Sequence, residues 1–116
     1  METIELLKVI ETVLDEKKAQ DYKLIDVTGR TSVCDYMIVV TGTSNRHLKA
    51  LSDYVIEKIK ELGETPLGVE GEQGSDWVLL DLGDIIVHIM TQQSRDYYQL
   101  EKLWSVPVLA DSQQTA

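Results

Sequence analysis

Few side chains in this 116-residue chain stand in a pattern that does chemistry, and a structural role accounts better for each of them. His47 and His88 are the two histidines, and no HxxxH spacing brings them together as zinc ligands. His88 lies in an apolar run and is expected to be a satisfied structural histidine. Cys34, beside Asp35, has no cationic neighbour to draw off its proton and is expected to be inert. Ser32, Ser44 and Ser94 sit in no nucleophile-elbow sequence. Gly42-Thr43-Ser44 follows an apolar run and opens a helical one, a place where backbone amides can hold a phosphate. Metal-assisted transfer there would also need paired carboxylates. No Asp-x-Asp or Asp-x-Glu follows Ser44, and Asp81 and Asp84 lie three apart across a turn, an awkward pair for one metal. A capped helix start is the better account of Thr43 and Ser44. The residues therefore predict no enzyme, no metal and no cofactor.

The elements that must position these residues follow from periodicity. Thr3 is a candidate N-cap for a helix to about Ala19, with Ile4, Leu7, Ile10 and Leu14 at helical spacing. Tyr22–Thr28 alternates as a strand, and the β-branched run Asp35–Gly42 reads as a central one. Thr43 or Ser44 caps a helix to Leu62 with the stripe Leu48, Leu51, Val55, Ile59 and Leu62, ended by Gly63. Pro66–Gly71 is a short strand. Trp77–Leu82 and Ile85–Met90 form a hairpin about Gly83-Asp84. Ser94–Trp104 returns to helical spacing, with Tyr97, Leu100, Leu103 and Trp104 on one stripe. The order αββαβββα predicts a single α/β domain over residues 1–104, a mixed five-stranded sheet with helices mainly on one face. Residues 105–116 are expected to fray as a tail.

Composition narrows the partners. With 43% apolar and 27% charged residues the chain has the make-up of an ordinary globular domain. No apolar run approaches the roughly 20 residues that span a bilayer. The start Met-Glu-Thr-Ile-Glu is acidic where a signal peptide would be basic, and one cysteine excludes an internal disulfide, so a cytoplasmic location is expected. The net charge is −9. From Glu61 to Ser94 there is no Lys or Arg but there are seven carboxylates: Glu61, Glu64, Glu70, Glu72, Asp76, Asp81 and Asp84. Such a surface repels phosphate backbones and attracts basic proteins, so direct nucleic-acid binding is not expected.

Strand parity locates a surface for such a partner. Val78, Leu80 and Leu82 on one strand, and Ile85, Val87 and Ile89 on the next, are purely aliphatic and should pack on the helices. Trp77, Leu79, Asp81, Ile86, His88 and Met90 then share a second face that no obvious helix covers. With Glu70 and Asp84 at its flanks, that face is an apolar patch rimmed by charge, as protein interfaces are. Trp77 is its natural anchor, because Trp is enriched among binding hot spots. An open apolar face also predicts a homodimer in solution.

The stretch Asp76–Trp104, with its strand, Gly-Asp turn, His-bearing strand, Arg95-Asp96-Tyr97-Tyr98 and Leu100-Glu-Lys-Leu-Trp104, resembles the Iojap family, the ribosome silencing factors. Cys34–His47 (CDYMIVVTGTSNRH) and Val69-Glu70-Gly71 extend the resemblance, which covers about Leu6 to Trp104. It implies a nucleotidyltransferase-like topology without the paired carboxylates of an active nucleotidyltransferase. It further implies binding to the large ribosomal subunit at its fourteenth protein, steric exclusion of the small subunit, and reduced translation when nutrients are scarce. A role in large-subunit assembly and a nucleotidyltransferase-related enzyme are the alternatives.

Overall fold

The computed structural model describes residues 1–71 and 74–105. The side chains of Trp104 and Ser105, and the rest of the expected tail, lie outside the described part. The elements run α1 (Thr3–Glu16), β1 (Gln20–Asp26), β2 (Tyr36–Gly42), α2 (Asn45–Glu61), β3 (Gly68–Glu70), β4 (Trp77–Asp81), β5 (Ile85–Thr91), α3 (Gln92–Tyr98) and α4 (Leu100–Ser105). The five strands form one mixed sheet in the order β1-β2-β5-β4-β3, parallel only between β2 and β5. The predicted α/β class, strand number and mixed sheet are all found.

Helix ends follow local chemistry. Ser44 caps α2, its Oγ accepting the His47 amide at 3.1 Å. At the other end Gly63 adopts φ +85°, its amide bonding the Lys60 carbonyl and the Glu64 amide the Ile59 carbonyl, a Schellman closure. For α1 the cap is Glu2 rather than Thr3, and the helix stops at Glu16, three residues short of expectation. Thr3 Oγ1 donates to Asp84 Oδ2 at 3.1 Å instead, tying α1 to the β4–β5 turn. The expected last helix is two short ones. Gln99 takes a left-handed φ of 49° and turns the chain between α3 and α4, so Tyr97 and Leu103 stay exposed rather than sharing one buried stripe.

The sheet separates two cores. On one face Ile38, Val40, Val78, Leu80, Ile85, Val87 and Ile89 pack under α1 and α2, which contribute Leu6, Leu7, Ile10, Val13, Leu14, Leu48, Leu51, Val55 and Ile59. Ile4 and Leu62, the outermost residues of the predicted stripes, are exposed. On the other face Ile25, Val27, Cys34, Met37, Val39, Ile86 and Met90 form a smaller cluster, with Trp77, Leu79 and Leu100 packed against it. That cluster corrects the expectation of a bare second face. Ile86, His88 and Met90 are 8%, 4% and 0% exposed. The centre of the face is filled by side chains from β1, the β1–β2 connection and α4.

Candidate functional site

What stays open on the second face is its β4 end. Trp77, Leu79 and Asp81 are half-buried, and Glu70 and Asp84 are exposed. Antiparallel pairing sets Trp77 opposite Met90, Leu79 opposite His88 and Asp81 opposite Ile86, and Glu70 of β3 lies opposite Leu79. Seven of the eight predicted residues therefore share a face, while Asp84 lies in the β4–β5 turn outside the pairing. They do not form one compact patch. Four residue steps along β4 separate Trp77 from Asp81 by about 14 Å. Asp81 accepts the Gly83 amide at 3.0 Å in the β4–β5 turn, and Asp84 is bound to Thr3, so both carboxylates brace the far end of the sheet.

At the near end Trp77 is the centre of an aromatic ladder. Its ring lies 4.6 Å from that of Tyr98, centroid to centroid, and Tyr98 meets Tyr97 edge-on at 4.9 Å. Its indole N–H donates to His88 Nδ1 at 3.0 Å. The ladder walls a cleft of about 540 Å³ between β4 and α3, with Glu70 and Asp76 on its rim. Among the described residues no Lys or Arg lines it. Gly71 makes the cleft possible: its φ is +85°, and a Cβ there would overlap the Trp77 carbonyl oxygen. Ser75 finishes the turn by accepting the Trp77 amide at 3.1 Å and donating to the Trp77 carbonyl at 2.9 Å.

Tyr97, Tyr98 and Asp76 also line this site, although helical spacing groups Tyr97 with Leu100 and Leu103 on one stripe. The signal that could have placed the tyrosines was their position in the second turn of the helix that Thr91 caps. Thr91 Oγ1 accepts the Ser94 amide at 3.2 Å, which starts α3 against the end of β5 and directs its second turn over Trp77. Arg95 holds this arrangement from beneath. It is 7% exposed, its Nη1 donates to the Asp21 carbonyl at 2.6 Å and to Thr41 Oγ1 at 2.9 Å, and its Nε donates to Glu101 Oε2 at 3.2 Å.

The titrating groups suit binding better than catalysis. Burial pushes His88 down to about 4, so its ring is neutral near pH 7, with Nδ1 occupied by the indole and the proton on Nε2. Burial, and then the carboxylates of Asp35 and Asp81, push the Cys34 thiol up, away from the nucleophilic thiolate. The amide of Thr43 donates to His47 Nδ1 at 2.9 Å and that of His47 to Ser44 Oγ, so two amides of the candidate phosphate turn already have protein partners.

Known proteins share this architecture. The family model described as "Ribosomal silencing factor during starvation" matches residues 1–116. The ribosomal silencing factor RsfS of Haemophilus influenzae is 43% identical over 100 residues, which is 86% of this chain and 98% of that one. The mouse protein named mitochondrial assembly of ribosomal large subunit protein 1 is 31% identical over 103 residues, 86% of this chain and 45% of its own length. A crystal structure of a Chromobacterium violaceum protein superposes with a TM-score of 0.88 at 42% identity, covering 92% of this chain and 89% of that one. By sequence over its whole length and by fold, the chain belongs to the ribosomal silencing factor family.

Proposed function

We propose that the chain acts in the cytoplasm by binding the large ribosomal subunit through its fourteenth protein, where its bulk blocks joining of the small subunit and lowers translation. The observation that carries this reading is the cleft of Trp77, Tyr97 and Tyr98, rimmed by Glu70 and Asp76 with no Lys or Arg in its lining among the described residues. Aromatic side chains give large contact area at low conformational cost, and a carboxylate rim favours a basic protein over RNA phosphate. The docking face expected from strand parity is Glu70, Trp77, Leu79, Asp81, Asp84, Ile86, His88 and Met90, of which Asp81 and Asp84 brace the far end of the sheet away from the cleft. Within it Trp77, Leu79 and Glu70 make contact directly, while Ile86, His88 and Met90 support them from below. No bond is made or broken, and no cofactor takes part.

Sedimentation of ribosomes through sucrose with added protein tests the reading. Co-migration with free large subunits and loss of joined ribosomes are expected; migration with joined ribosomes alone would rule it out. Binding confined to immature large subunits would instead favour an assembly role, the reading that the mouse relative's name supports. The exposed Tyr97 and Leu103 also support a homodimer that hides the cleft, and light scattering showing only monomer at high concentration would dismiss it.

A further inference from the structure

The charge of this chain is unevenly divided. Residues 1–60 hold nine Lys and Arg against ten Asp and Glu, whereas residues 61–116 hold two against ten. Part of the basic share is gathered at one place. Lys17, Lys18 and Arg46, all exposed, line a concavity of about 600 Å³ where the α1–β1 turn meets the start of α2, with Glu16 the single carboxylate lining it among the described residues.

The turn and the helix are locked together there. His47 accepts the Thr43 amide at Nδ1, and its Nε2 lies 2.9 Å from the Lys17 carbonyl, so the imidazole bridges α2 to the turn. Lys17 is further held over the ring of Tyr54, 4.2 Å from its centroid. The three cations thus sit on a fixed frame.

This corner is continuous with the aromatic cleft. Gln20, Thr41, Met90 and Trp77 are successive partners in one row across the sheet. Three interstrand gaps at about 4.8 Å place the ends of that row roughly 14 Å apart. Between them, Asn45 Nδ2 in the first turn of α2 donates to Asp76 Oδ1 at 2.6 Å and to the Gly74 carbonyl at 3.1 Å, joining the basic corner to the rim of the cleft. A partner gripping this end of the sheet meets an acidic aromatic surface on one side and a cationic one on the other. A ribosome presents basic proteins set among RNA phosphates, and opposite charges then match on both sides.

We propose that Lys17, Lys18 and Arg46 form a second contact with the ribosome, taking the phosphate backbone of ribosomal RNA beside the protein that fills the cleft. The inference rests on the docking reading given above. RNA neutralised by lysine or arginine releases counterions, so this contact has a signature that the cleft lacks: a steeper loss of affinity with salt.

The test is binding of the full chain to purified large subunits across about 50 to 200 mM salt. K17Q/K18Q/R46Q should bind more weakly, with its log-affinity against log-salt slope shallower by roughly two, since each phosphate contact contributes about 0.7–0.9. K17R/K18R/R46K should keep the parent slope. Tyr97→Ala should lose affinity with the slope unchanged. Circular dichroism and melting confirm that each variant folds. Parent affinity and slope in the glutamine variant overturn this inference alone. Weaker binding at an unchanged slope also overturns it, and points to carboxylates of a ribosomal protein. A parent chain that does not bind large subunits overturns the docking reading together with this one.

Discussion

The indole N–H of Trp77 donates to Nδ1 of His88 across the β4–β5 ladder, 3.0 Å away. This bond decides the state of both residues. It places the His88 proton on Nε2, an atom buried without a hydrogen-bond partner among the described residues. It also holds the Trp77 ring at a fixed height, 5.7 Å from the imidazole below and 4.6 Å from Tyr98 above. A surface Trp would otherwise sample several rotamers, and ordering it on binding costs free energy. His88 thus supports the cleft without touching its ligand.

Burial of the His88 ring makes stability depend on pH. The unfolded chain takes up a proton on His88 near 6.5, but burial holds the folded value at about 4. Above pH 6.5 the ring is neutral in both states and contributes no pH dependence. Between 6.5 and 4 the unfolded state binds a proton that the folded state refuses, so stability falls with pH, by about 3 kcal/mol across the window. Urea unfolding at several pH values checks this. His88→Gln, whose side-chain carbonyl can still accept the indole N–H, should flatten the curve over that window.

Two glycines separate backbone conformation from crowding. Gly63 and Gly71 share φ +85°, but only Gly71 has neighbours where a Cβ would sit. Gly63→Ala should cost about 1 kcal/mol, the penalty for a left-handed L-residue. Gly71→Ala adds a clash with the Trp77 carbonyl, so a loss at least about 2 kcal/mol larger is expected. Equal losses in denaturant titrations would mean that the β3–β4 turn moves aside without strain.

How much of this was legible from sequence depended on the range of the interaction. The parity of β4 and β5 was readable because each strand carries one purely aliphatic set, and those sets pack under α1 and α2. The Ser44 cap, the Gly63 stop and the Gly83 turn are local and were also readable. The filling of the second face was not. Val27, Cys34 and Leu100 come from a loop and a helix whose positions no spacing encodes, and they cover Ile86 and Met90. The break at Gln99 was hidden because Tyr97, Leu100 and Leu103 keep helical spacing through it. The bracing role of Arg95 was not readable either, since its partners Asp21 and Thr41 lie 74 and 54 positions away.

Arg95 should therefore be costly to replace. Arg95→Met removes three hydrogen bonds and leaves Thr41 Oγ1, the Asp21 carbonyl and Glu101 without that donor. Loss of one partner from a buried charge pair costs about 3–5 kcal/mol, and the low end applies because Glu101 is 30% exposed. Arg95→Lys should recover only part, since one ammonium cannot reproduce the planar fork. Hydrogen exchange should show α4 losing protection in both variants while the amides of β2 and β5 keep theirs.

The aromatic ladder can be tested rung by rung. Tyr97 is 80% exposed and Tyr98 51%, whereas Trp77 is half-buried and bonded to His88. Truncating Tyr97 removes contact surface with little cost to the fold, so Tyr97→Ala should keep its melting temperature yet weaken large-subunit binding about tenfold, or ~1.4 kcal/mol. Trp77→Ala should weaken binding by roughly 2 kcal/mol or more and also destabilise the domain, because His88 Nδ1 is left without its donor. Asp84→Ala is the contrast: its carboxylate braces α1 at the far end of the sheet, and its loss should leave binding unchanged. Titration of each variant against large subunits, paired with its unfolding curve, separates the two effects. If Tyr97→Ala and Trp77→Ala both bind like the parent, the docking surface lies elsewhere on the molecule.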